Sequence, residues 1–336
     1  MLSCGPDPVH PSKQRGDVLI QVQVSATYKS NITTIIFLGF SNLDRLNLPL
    51  FILVLLIYCA TVCGNLLIIK LVYFSKILHT PMYFLLSQLS LADVILTTDI
   101  APNMLNILFH ERASIPFAFC INQLYFFSFA EASECLLLTV MSYDRYLAIC
   151  SPLHYASIMN YVLCIKFILM SWMLSCCIEL IVTCSVSRLQ FCGPNTIDHF
   201  FCDFYPLLEL SCSDVSTVQM EATLFCVPVI VLPFLVIVVS YVYIALTILK
   251  IASFSGRIKS FSTCSSHLTV VFIFYGTLMA MYMLPKGGQS KMISKTLAML
   301  YTVLTPFLNP FIYSLRNKDI KDAFRNVYLL PTSGPL

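Results

Sequence analysis

Several groups of residues in this 336-residue chain have types and spacings that chemistry could use. Asp144-Arg145-Tyr146 sets an acid beside a base at the end of a long apolar stretch. Read alone, such a pair is also an ordinary solvated helix end. Asp93, Glu131 and Glu134 are carboxylic acids embedded in otherwise apolar stretches. An ionised group in a hydrocarbon layer costs several kcal/mol unless it is paired or hydrated, so such residues are functional candidates by default. Asn309-Pro310-Phe311-Ile312-Tyr313 combines a polar side chain with a proline that removes a backbone donor and kinks a helix. Cys264-Ser265-Ser266-His267 offers nucleophile and base types together. Neighbours on one helix project in different directions, however, so that adjacency supplies no catalytic geometry. No pair of metal ligands shares a helical face. The chain therefore reads as a non-enzyme.

The cysteines divide by setting. Of fifteen, most lie in apolar stretches, where a thiol acts as a small packing residue. Cys120 sits at the outer start of a helix, and Cys192, Cys202 and Cys212 fall ten residues apart in one loop. Ten-residue gaps do not match the short paired spacing of structural zinc ligands. In an oxidising compartment these four cysteines form disulfides, with three pairings open on spacing alone.

The elements that position these groups follow from composition. The chain is 58% hydrophobic and only 11% charged, against about a quarter charged in soluble domains. Leu48–Ile69, Ala222–Leu249, Ser260–Pro285 and Thr296–Leu315 contain no charged residue. Three further apolar stretches carry the acids Asp93 and Asp99, Glu131 and Glu134, and Glu179. Each stretch can cross a bilayer core, which needs about 20 helical residues. Seven spans result, and a lipid solvent demands helices. The fold class is thus all-α: a seven-transmembrane-helix bundle, with residues 1–47 as an extracellular N-terminal tail, 48–315 as the bundle and 316–336 as a cytoplasmic tail. Within that tail, Lys318, Lys321 and Arg325 against Phe324 and Val327 form a short amphipathic helix on the inner leaflet.

Basic residues orient the bundle. With the N-terminus outside, cytoplasmic segments and helix ends gather Lys70, Lys76, Arg145, Lys166, Lys250, Arg257, Lys259, Arg316, Lys318, Lys321 and Arg325 against Asp144, Asp319 and Asp322. The short outside segments hold fewer: Arg45, Arg112, Arg188, Lys286, Lys291 and Lys295. That bias satisfies the positive-inside tendency and expects a multi-pass plasma-membrane protein. The net charge of +3 is then a membrane-side surface and not a nucleic-acid footprint. Asn31-Ile32-Thr33 is a glycosylation sequon in the outside tail. No cleavable signal peptide precedes it, so the first helix is expected to target the chain.

On its motifs the sequence resembles class A, rhodopsin-like G-protein-coupled receptors, and among them odorant receptors. The resemblance rests on Gly64-Asn65, Pro81-Met82-Tyr83-Phe84-Leu85, Leu89-Ser90-Leu91-Ala92-Asp93 and Met141-Ser142-Tyr143-Asp144-Arg145-Tyr146-Leu147-Ala148-Ile149-Cys150. It continues through Pro152-Leu153-His154-Tyr155, Ser240-Tyr241, the run from Lys259 through Ser265-Ser266-His267-Leu268, and Pro306-Phe307-Leu308-Asn309-Pro310. Helix six carries Phe274-Tyr275-Gly276 and no proline, unlike amine and peptide receptors. Two features depart from the family pattern. The segment before Asn31 is longer than usual, and Glu131 stands where an uncharged residue is usual.

The resemblance implies disulfides Cys120–Cys202 and Cys192–Cys212. It implies a pocket for small volatile molecules in the outer half of the bundle, lined by Phe127, Ser128, Glu131, Phe225, Val229, Leu278, Met279, Tyr282, Met299 and Thr302. Coupling to a stimulatory heterotrimeric G protein, raising cyclic AMP, would use Asp144, Arg145, Tyr146, Tyr241, Lys259, His267 and Tyr313. No cofactor is implied beyond a sodium ion at Asp93, Glu134 and Asn309; a shared proton is the competing account. Partners are an odorant, the G protein and membrane lipid. Helical geometry agrees with the pocket: at about 100° per residue, Phe127, Glu131 and Glu134 fall within roughly 40° of the face of Arg145. Glu131 either hydrogen-bonds as a neutral acid or serves as counter-ion to a polar ligand. A transporter would also explain buried acids, but the halves show no internal repeat.

Overall fold

The computed structural model describes residues 32–39, 46–110, 112–192, 194–283 and 291–329. Asn31 lies outside them, as do the side chains of Lys259 and Tyr282, although the helix around both is described. Seven long helices run in chain order: α1 (Asn47–Phe74), α2 (Pro81–His110), α3 (Phe117–Cys150), α4 (Tyr161–Ser187), α5 (Ser216–Lys250), α6 (Phe254–Met283) and α7 (residues 291–316). Six are long and apolar enough to span a bilayer, and α6 has a shorter apolar core, Cys264–Ala280. Its N-terminal end, with Arg257, extends the helix beyond the uncharged run read from the sequence.

Local chemistry sets the boundaries. Asn160 caps α4 by accepting from the Leu163 amide at 2.9 Å. Pro81 opens α2, where a missing amide hydrogen costs nothing. Pro152 likewise opens a short helix, Pro152–Ile158, after α3. Beyond α7, Asn317 accepts from the Asp319 amide at 2.9 Å and starts α8 (Lys318–Phe324). Ile320 and Ala323 bury their side chains and give α8 two faces, whereas Phe324 and Val327, the apolar residues picked out in the sequence, are exposed.

α3 is the axle of the bundle, packing against α2, α4, α5 and α6. Gly64 lets α1 close on α7: a Cβ there would stand 3.1 Å from the Pro310 ring. Pro310 has no amide hydrogen, so the Pro306 carbonyl loses its helical donor. The Asn65 side chain supplies one at 3.2 Å and also reaches its own Thr61 carbonyl at 3.1 Å. The Gly64-Asn65 and Asn309-Pro310 motifs are thereby one joint between two helices. Wider π turns interrupt α5 at Val227–Val231 and α7 at Leu300–Leu304, each beside a proline (Pro228, Pro306).

Segments at the outer end build a three-stranded sheet, in the order β2-β1-β3. β1 (Thr34–Phe37) pairs antiparallel with β2 (Ala113–Pro116) and parallel with β3 (Thr196–Ile197). Residues 34–37, within the stretch read as a tail, thus form the central strand, with Ile35 and Phe37 fully buried. Gly39 follows at φ +55°, and a Cβ there would fall 2.3 Å from Ile107.

Candidate functional site

The face of α3 read from helical spacing is buried along its length: Phe127, Glu131, Glu134 and Arg145 are each less than a tenth exposed, and Ser128 is half-buried. At the outer level Phe127 meets Phe201 at 5.0 Å and Tyr301 at 6.3 Å between ring centres. Tyr301 neighbours Glu131, and the acids Asp203, Glu179 and Glu134 lie close enough for their charges to act on its carboxyl. Leu278 and Met299 join the same core as Phe127. Phe225 and Val229 form a second patch with Ala132, Ile178 and Ile230. Val229 and Thr302 sit in the two π turns, and Thr302 is fully buried with its hydroxyl on the Ala298 carbonyl at 2.8 Å. Met279 is half-buried.

A disulfide joins Cys120 to Cys202, with Cα atoms 5.5 Å apart, and a second joins Cys192 to Cys212 at 5.7 Å. Gln123 completes the outer clamp. Its amide donates to the Asp99 carbonyl at 2.8 Å and its oxygen accepts from the Cys202 amide at 2.9 Å, so α2, α3 and the loop share one side chain. Lys295 on α7 pairs with Asp198 of the loop and donates to the Gly39 carbonyl at 2.5 Å.

His199, inside that loop, is 4% exposed and lies against Phe200 and Phe201 at 4.7 and 4.8 Å. Burial, with the Lys295 cation adding to it, pushes its pKa from 6.5 down to about 3. Between those values the unfolded chain binds more protons than the folded one, so stability falls as pH drops below 6.5. The thermal midpoint of detergent-solubilised receptor should fall between pH 7 and pH 5, and His199→Phe should flatten the dependence. An equal slope in the variant would remove His199 as its source.

Deeper in the bundle, the Asn309 side-chain amide donates to both carboxylate oxygens of Asp93, each at 3.0 Å. Glu134 faces Asp93, and its Oε1 is buried without a hydrogen-bond partner among the described residues. Two carboxylates, one of them with an orphaned oxygen, and the Asn309 amide oxygen are a donor set that fits a small hard cation.

At the other end of α3 Arg145 donates to Asp144 Oδ2 through Nε at 3.0 Å and through Nη2. Tyr155 donates to Asp144 Oδ1 at 2.8 Å. Tyr155 carries no signal of this role in the sequence, because nothing in its spacing tells that the short helix Pro152–Ile158 folds back under α3. The Tyr241 hydroxyl and His267 Nδ1 lie 2.6 Å apart, tying α5 to α6. Tyr146 points elsewhere, packing with Ile244, Ile248 and Cys264. Tyr313 is buried with no partner for its hydroxyl among the described residues. Arg145, Tyr155, His267 and Tyr313 line a crevice of about 790 Å³ closed on its far side by Tyr83, Asn317 and Asp319. Tyr83 holds that wall by donating to Asn317 at 3.0 Å and Asp319 at 2.9 Å.

Seven helices with α3 at their centre make a rhodopsin-type bundle: squid rhodopsin superposes with a TM-score of 0.68 at 17% identity, over 85% of this chain and 86% of that one. A family model described as olfactory receptor matches residues 54–330. Human olfactory receptor 6N1 is 47% identical over 296 residues, covering 88% of this chain and 95% of that protein. Human olfactory receptor 10A7 is 46% identical over the same length, with 88% and 94% covered. Mouse olfactory receptor 1M1 is 45% identical over 292 residues, with 87% and 93% covered. The chain belongs to the olfactory receptor family. It is accordingly a multi-pass membrane receptor that senses odorants and signals through a G protein, not an enzyme.

Proposed function

We propose that the odorant binds in the outer half of the bundle between Phe127, Glu131, Leu278, Met299 and the two π turns, and that the receptor activates a stimulatory G protein and raises cyclic AMP. The observation that carries this reading is the buried file Phe127–Glu131–Glu134–Arg145, which runs along one helix from the aromatic outer cluster to the cytoplasmic crevice. The N-terminus is extracellular and the crevice cytoplasmic, in keeping with the basic residues gathered at that end. Phe225, Val229, Met279, Tyr282, Thr302 and Ser128 complete the pocket.

The ligand class follows from charge. Glu131 has Asp203 and Glu179 as charged neighbours. An acid-rich centre in an apolar pocket favours a small apolar molecule with a donor or cationic head, an alcohol or amine, over an aldehyde or ester. At rest Asp144 holds Arg145. Ligand contacts bias α6 outward, which strains the Tyr241–His267 link, frees Arg145 and gives the Tyr313 hydroxyl a partner. Tyr146 and Lys259 complete the G-protein contact. Asp93, Glu134 and Asn309 would hold a sodium ion, which would supply positive charge between the two carboxylates in the resting bundle. Asn31 is the proposed glycosylation site.

The test is a cyclic-AMP assay in transfected cells against a broad panel of odorants, alongside cells lacking the receptor. Alcohols and amines should dominate the responses. Glu131→Gln should lower amine potency at least tenfold while changing aldehydes little. An unchanged rank order would remove Glu131 from ligand recognition, and ligand-dependent calcium flux without cyclic AMP would overturn the stimulatory coupling.

A further inference from the structure

A second cavity lies outside the helix bundle. It is a groove of about 510 Å³ between α2 and α3, lined by Val94, Ile95, Thr98, Asp99, Pro102, Asn103, Phe119 and Phe126. Phe119 and Phe126 are about half exposed, one helical heptad apart on the outward face of α3. The groove is therefore distinct from the inward face that carries Phe127, Glu131 and Glu134. Asp99 stands six residues, about 9 Å, nearer the outer end of α2 than the mid-bundle Asp93. That places the groove at outer-leaflet depth.

Its walls are mostly apolar, with the Thr98 hydroxyl at their exposed edge, and the buried polar atoms left unpaired in them are acceptors. Asp99 Oδ2 is buried with no hydrogen-bond partner among the described residues. Pro102, inside α2, has no amide hydrogen, so the Thr98 carbonyl in the same wall lacks its helical donor. Two amide donors nearby are engaged elsewhere: Gln123 on the Asp99 carbonyl at 2.8 Å and Asn103 on the Phe200 carbonyl at 3.3 Å. Acceptors left unpaired in a hydrocarbon layer are costly, and the bilayer core offers no water to satisfy them.

We propose that this groove is a binding site for a small amphiphile that partitions into the outer leaflet and carries a hydrogen-bond donor, an aliphatic alcohol or amine. The donor head sits on Asp99 Oδ2 and the Thr98 carbonyl. The alkyl body lies along Ile95, Phe119 and Phe126. The volume falls within the range of small-molecule sites, about 300–1,000 Å³. Gln123 links the Asp99 backbone to the Cys202 amide, so occupancy of the groove acts on the clamp that carries the outer loop.

The experiment uses purified full-length receptor in sterol-free phosphatidylcholine nanodiscs, a photoreactive diazirine analogue of octanol and peptide mapping of the label. Label should concentrate on the peptides carrying Thr98 and Phe126. Octanol should compete at least tenfold better than octyl methyl ether, which keeps the chain and the oxygen but cannot donate. Asp99→Leu should reduce labelling of these peptides at least fivefold and leave labelling elsewhere unchanged. If that variant does not fold, the competition on the native receptor decides alone. Equal competition by the ether, label mapping away from α2 and α3, or displacement by cholesterol as effective as by octanol would each overturn the proposal, the last by making the groove a sterol site.

Discussion

Asp144→Asn should raise cyclic AMP in the absence of odorant, while Arg145→Ala should abolish the response at unchanged surface density. Asp144 is fully buried, and its carboxylate accepts from Arg145 through one oxygen and from Tyr155 through the other. Hydrogen bonds to a charged group are worth about 1.5–3 kcal/mol against about 0.5–1.5 kcal/mol for neutral ones. Neutralising the acid should weaken the resting arrangement by about 1–2 kcal/mol, roughly a 5- to 30-fold shift toward the active population. Tyr155→Phe removes one neutral donor and should give a smaller rise in the same direction. Basal cyclic AMP and surface density, read by flow cytometry of an N-terminal tag, check all three. Unchanged basal signalling in Asp144→Asn would show that the pair does not hold the resting state.

Cys120→Ser or Cys202→Ser should remove most receptor from the cell surface. Both residues are fully buried and their bond closes a loop of 82 residues. Loop-closure entropy assigns such a bond about 4.5 kcal/mol, a large fraction of a typical stability margin. The Cys192–Cys212 bond closes only 20 residues, worth about 3 kcal/mol. Cys192→Ser should therefore retain an intermediate surface fraction. Surface density and the thermal midpoint of solubilised receptor test the ranking, and a greater loss in Cys192→Ser would reverse the assigned importance of the two bridges.

The bundle was legible because a lipid solvent leaves few choices. Twenty apolar residues without charge can only be a spanning helix, and the periodicity of α3 picked out Phe127, Glu131, Glu134 and Arg145 from spacing alone. What stayed hidden depends on contacts between distant segments. Tyr301 neighbours Glu131 from another helix, and a π turn at Leu300–Leu304 sets its direction, which no regular helical count would find. Nothing in the sequence marks Gln123, whose partners lie on α2 and in the loop. Strand β1 is only four residues long, and its partners lie about 80 and 160 residues away in the chain. Short strands with remote partners leave no periodic trace. Asp99 was noted only as a charge within an apolar stretch, and its outward setting became clear from the groove around it.

That sheet also constrains the order of assembly. β1 occupies the centre, yet β2 and β3 both follow it in the chain. During synthesis one edge of β1 can pair once residues 113–116 have emerged, but the other must wait until residues 196–197 follow. At about 5–20 residues per second, that interval is roughly 8–30 s. The central strand thus stays half-paired until the last of its neighbours, β3, has been made. A substitution that slows docking, such as a side chain at Gly39, would therefore act on the yield of mature receptor through quality control during biogenesis, even where the finished receptor still binds and signals.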